Sequence, residues 1–114
     1  MTLLDILKIL AAALTVATGL LAFLRPMAVR GFTGLEAPGP RGVTEIRAVL
    51  GGAFIALGAT PLLTRTAGTF QMLGIVYLVI GATRIAGMIL DKSVERSNII
   101  SLAVEIVFGA VLVL

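Results

Sequence analysis

FQMLGIVYLVIGATRIAGMIL (residues 70–90), DKSVERS (91–97) and NIISLAVEIVFGAVLVL (98–114) follow one another without a break. The outer two segments are apolar on nearly every side and close to the ~20 residues needed to cross a hydrocarbon core at ~1.5 Å per residue. The middle one is a charged hairpin. Barrel strands would alternate polar and apolar residues over short segments, which these do not, so helix is the expected conformation. Two further stretches of the same kind, residues 3–24 and 44–63, lie upstream. The expected fold is therefore all-α: one membrane domain over residues 1–114, a four-helix transmembrane bundle with antiparallel neighbours.

The punctuation agrees. Arg25-Pro26 ends the first apolar run, and Gly31, Gly34, Pro38, Gly39, Pro40 and Gly42 mark residues 25–43 as an ordered or re-entrant loop. Pro61 is expected to close the second helix, and Ser97 or Asn98 to cap the fourth. The first segment resembles a signal peptide only superficially. Asp5 occupies its would-be positive region and the apolar run is long, so it is expected to stay as a span.

Composition sets the limits on function. Hydrophobic residues make up 59% of the chain and charged ones 13%, a balance suited to lipid. With no cysteine and no histidine, thiolate or imidazole metal sites, haem ligation and the usual nucleophile-base pairs are excluded, and no cofactor is implied. The net charge of +3 does not point to nucleic acid, because the basic residues stand mostly beside apolar segments. Arg25, Arg30, Arg41, Lys92 and Arg96, with Arg47 just inside the second helix, all lie on one side, against Lys8 and Arg65 on the other. The positive-inside rule then places loops one and three in the cytoplasm and both termini outside.

The informative residues are those that should not be in hydrocarbon, where an ionised side chain costs ~2.5–3.5 kcal/mol on insertion scales. Arg84 lies ~9 Å from the hairpin end of helix three and Glu105 ~10 Å along helix four from the same end. Their matched depths predict an Arg84–Glu105 ion pair. Glu45, Arg47 and Asp91 lie toward that side too, so these five residues are expected to form one polar cluster, either a structural network or a site for a polar headgroup, small ion or proton. Asp5 and Lys8 read as an interfacial pair, and Tyr77 as a buried hydroxyl in need of an acceptor. Ala48, Gly52, Ala56 and Ala59, in line with Glu45, form a small-residue packing stripe broadened by Gly51; Gly87 and Gly109 stand beside the charges and permit close approach or leave a cavity. A Gly-Ala-Thr string shared by residues 58–60 and 81–83 is too short to be a repeat.

The segment Glu45-Ile46-Arg47-Ala48-x-x-Gly51-Gly52, with Arg84-x-x-Gly87-x-x-x-Asp91 and Glu105, resembles an uncharacterised bacterial family of small four-helix membrane proteins, a domain of unknown function similar in size and layout to DoxX-like proteins. The likeness runs from about the second helix to the C-terminus. It implies a four-helix bundle in a bacterial cytoplasmic membrane and lends interest to Glu45, Arg47, Arg84, Asp91 and Glu105, but it supplies no activity. Leu50 departs from the family pattern, where an aromatic residue is common.

Two functional readings follow. In one, the protein is an accessory or structural subunit of a larger membrane complex, or a homo-oligomer, contacting partners through small-residue faces within the bilayer. In the other, the charged cluster binds or transports a lipid headgroup, a quinone-like molecule or a small ion. An enzyme using Glu45, Asp91 and Glu105 as acid, base or Mg²⁺ ligands finds no sequence spacing that singles out a site.

Overall fold

The computed structural model describes residues 1–114, and all of its regular structure is helical. Helix α1 (Leu3–Leu24) starts at Thr2, whose hydroxyl accepts a hydrogen bond from the Asp5 amide at 3.2 Å while the Asp5 carboxylate accepts from the Thr2 amide at 2.9 Å. This capping box engages Asp5, in place of the expected pair with Lys8. A 3₁₀ turn, Pro26–Ala28, leads into the short α2 (Val29–Thr33), which stops at Gly34 with φ at 72°. The expected loop thus contains a helix of its own.

Helix α3 (Pro40–Thr64) begins four residues before the apolar run. Gly39 is extended and Pro40 sits in the first turn, where its fixed φ suits a helix and its missing N–H is not needed. Ile46–Gly52 within α3 is wound as a π-helix. Pro61 does not close α3, because its carbonyl accepts the Arg65 amide at 2.9 Å and the helix runs on to Thr64. Thr66 caps α4 (Ala67–Leu90). Helix α5 (Arg96–Val113) starts after Glu95 without a side-chain cap, so neither Ser97 nor Asn98 takes that role.

Packing proceeds in two pairs. Against α1, α3 presents Arg47, Gly51, Ile55 and Gly58, one face at three- and four-residue spacing. A Cβ at Gly19 would fall 2.6 Å from the Ile55 nitrogen and 2.7 Å from the Gly51 oxygen, and one at Gly58 would fall 2.6 Å from the Ala12 oxygen. Only glycine permits this approach. Gly74 meets Gly109 and Leu112 in the α4/α5 pair, where Gly81 lies against Leu102 and Glu105. In both pairs the contacts descend one helix as they climb the other. An apolar cluster of Ala11, Ala12, Phe70, Leu73, Tyr77 and Leu112 joins the pairs, and Ala22, Val29 and Ile46 form a smaller one near α2.

The expected stripe of Ala48, Gly52 and Ala56 faces away from α1. All three are exposed, and nothing lies within 4 Å of a Cβ built at Gly52. Two small-residue stripes lie one position apart on α3, and the one bearing Gly51 and Gly58 can oppose Gly19 and Ala12. Leu14, Ile75, Val79, Ile89 and Val107 point outward. Four helices, Leu3–Leu24, Pro40–Thr64, Ala67–Leu90 and Arg96–Val113, are long and apolar enough to cross a membrane.

These distances predict that Gly19→Ala and Gly58→Ala each destabilise the protein by ~1–3 kcal/mol through overpacking. Gly52→Ala should be neutral or gain up to ~1 kcal/mol of helix propensity. Thermal unfolding in detergent checks this; equal effects at all three positions would contradict the assigned packing face.

Candidate functional site

Asn98 and Glu105 are seven residues apart on α5 and therefore share a face. Arg84 approaches that face from α4. Its Nε donates to both Glu105 carboxylate oxygens at 2.9 Å, its Nη2 also donates to Oε1, and its Nη1 donates to Asn98 Oδ1 at 2.9 Å. Asn98 in turn donates through Nδ2 to the Ser93 carbonyl at 2.8 Å. Gly81 lies against Glu105, and a Cβ there would sit in ordinary contact at 3.6 Å from the Glu105 Cβ. Glu105 is only 6% exposed, and this guanidinium is its charged partner. A continuous polar chain runs from the interior of the α4/α5 pair to its connecting turn.

The expected five-residue cluster is divided. Asp91 is exposed and joins no ion pair; it borders a small recess of about 160 Å³ with Arg84, Gly87 and Asn98. Glu45 pairs with Arg41 one turn back on α3. Arg47 donates to the Phe23 carbonyl and lies 6.0 Å from the centre of the Phe23 ring. Neither Glu45 nor Arg47 bonds to the Arg84 group, because α3 packs its contact face on α1. Arg47 has a different use. The last carbonyls of α1 lack partners within the helix, and a cation there satisfies one of them and complements the helix dipole.

Sequence reasoning missed Asn98 as a ligand of Arg84, although its two-turn spacing from Glu105 was legible. It also missed Thr15. Thr15 donates to the Ala11 carbonyl at 2.8 Å, so the Tyr77 hydroxyl, 2.6 Å away, donates to Thr15. This bond ties α4 to α1, and the Tyr77 ring meets Phe108 edge-on at 5.5 Å. Glu45, Asp91 and Glu105 stand apart, and no three carboxylates come together as a metal site.

The fold and this polar chain define an all-helical protein with four membrane-length helices and its deepest charges paired across α4 and α5. The chain belongs to the family described as domain of unknown function DUF4345, whose model matches residues 3–114 and so includes α1. No curated protein and no solved structure matches it.

A double-mutant cycle tests the pair. Arg84→Ala and Glu105→Ala should each cost about 3 kcal/mol by leaving a charge without its partner. The double variant should lose clearly less than the sum, with a coupling energy of ~1–3 kcal/mol in detergent unfolding. Additive losses would mean that the two residues act independently.

Proposed function

We propose that this protein is a four-span component of a bacterial cytoplasmic membrane, an antiparallel bundle that acts as an accessory or structural subunit or as a homo-oligomer. The observation that carries this reading is the outward face of α3. Ala48, Gly52 and Ala56 are exposed at four-residue spacing, and small residues so placed let a second helix approach closely where lipid offers no hydrophobic driving force. The polar residues support the same reading. Every buried side-chain nitrogen and oxygen has a partner, so the intramembrane charges serve the chain's own helix contacts. The DoxX-like layout suggested by the sequence belongs to this proposal and adds no activity to it.

Orientation follows from basic residues. Arg25, Arg30, Arg41, Lys92 and Arg96 place loops one and three inside, with both termini outside. The cysteine-free chain makes this easy to check: Lys92→Cys should react with an impermeant maleimide only from the cytoplasmic side and Arg65→Cys only from the outside. The opposite labelling would invert the topology.

Assembly is tested by gentle solubilisation of native membranes and native mass spectrometry. Wild-type protein should appear as a homo-oligomer or with reproducible protein partners, and Gly52→Leu should lose that assembly while the released chain keeps its helical content. A monomeric, partner-free wild type would overturn the reading. Binding of a polar ligand at the charge cluster is the second reading; division of the cluster leaves Glu45 as its member beside a large cavity.

A further inference from the structure

Gly34 ends α2 in a left-handed conformation, and the chain that follows runs beside the start of α3, where Ala37 and Pro38 lie against Gly42. Between this segment and α3 is a groove of about 520 Å³, within the ~300–1,000 Å³ typical of small-molecule sites. Leu35, Pro38, Val49, Leu50 and Phe54 make its walls apolar. Two of its lining residues are charged, Glu36 and Glu45, and each has an arginine partner: Arg30 at 3.5 Å from Glu36, and Arg41 beside Glu45. From Glu45 to Phe54 the groove follows α3 for ~13 Å, close to the ~15 Å hydrocarbon depth of one leaflet.

A polar mouth above an apolar wall one leaflet deep has the shape of a bilayer lipid, and the charges at the mouth select its headgroup. We infer that this groove binds one phospholipid with a primary-ammonium, ethanolamine-type headgroup. Arg30 and Arg41 supply the planar donors that suit a phosphodiester, and Glu36 and Glu45 accept from the ammonium. Both ion pairs are exposed, and such pairs contribute little to stability, so each opens readily toward a ligand. A choline headgroup has no N–H to donate. Quaternary ammonium is bound by aromatic faces, and the aromatic residue in these walls, Phe54, lies at the apolar end. A glycerol headgroup carries no cation and leaves both carboxylates facing an anionic lipid.

The test uses the full chain in nanodiscs holding equal amounts of phosphatidylethanolamine, phosphatidylcholine and phosphatidylglycerol with identical acyl chains, followed by native mass spectrometry of the retained lipid. Phosphatidylethanolamine should exceed phosphatidylcholine by about tenfold or more, the worth of one charge-assisted hydrogen bond. Glu36→Gln combined with Glu45→Gln should bring that ratio close to one without changing the melting temperature. Ala53→Trp, placed in the exposed wall, should lower retention of all three lipids. Equal retention by the wild type, preference for phosphatidylglycerol, or a preference that survives the double change would each overturn the assignment. The ratio is read on monomer and oligomer alike, so its failure is distinct from failure of the assembly proposal.

Discussion

A carboxylate buried between two helices has little water to turn to, and its helix must be held where a cation can meet it. Arg84 and Glu105 impose that condition on the α4/α5 pair. The outward faces of both helices are mostly apolar and do not by themselves fix the register. Slipping α5 by one turn would set Ser101 or Phe108 near Arg84 and leave two charges unpaired, an error costing several kcal/mol. The ion pair therefore selects the register that the apolar surface leaves open. Asn98 and Ser93 extend the same constraint into the connecting turn.

The α1/α3 pair solves its register problem by shape. Gly19, Gly51 and Gly58 bring backbone against backbone, and a shifted register would drive side chains into carbonyls. Arg47 adds a polar anchor at one end only, on the exposed carbonyl of Phe23. The two pairs meet through Phe70, Leu73 and Leu112 and through the Tyr77–Thr15 hydrogen bond. Tyr77 lies seven residues before Arg84 on α4, on the buried row Gly74, Tyr77, Gly81 and Met88. One face of α4 thus carries both the link to α1 and the charge aimed at α5.

Much of this was legible in the sequence, and the limits have physical causes. The four membrane-length helices follow from apolar runs whose length hydrocarbon thickness makes hard to misread, whereas the short α2 does not. The Arg84–Glu105 geometry follows from equal depth on helices joined by a short hairpin. The grouping of Glu45 and Arg47 with them did not hold, because depth along a helix says nothing about which neighbour the helix faces. For the same reason the small residues of α3 could be named as packing positions without showing that Gly51 and Gly58 meet α1 while Ala48, Gly52 and Ala56 face away from it. Thr15 was hidden for another reason: a single hydroxyl in an apolar run gains meaning only when a tertiary partner is known. Within residues 25–43, glycine and proline identified an ordered segment, while α2 and the groove depend on where that segment packs.

The π-helical stretch Ile46–Gly52 is where α3 divides its duties. Such winding has poorer hydrogen-bond geometry than an α-helix and persists where packing or function compensates for it. Here Ile46 enters the small core with Ala22 and Val29, and Gly51 closes on Gly19 and Phe23, while Val49 and Leu50 face the groove. Seven residues therefore serve a core, a helix contact and a cavity wall within one continuous helix. That density of use leaves few positions free to vary without effect. Ala48 and Gly52 are exposed within the same stretch, so a third side of this short segment stays small and smooth on the outside of the molecule.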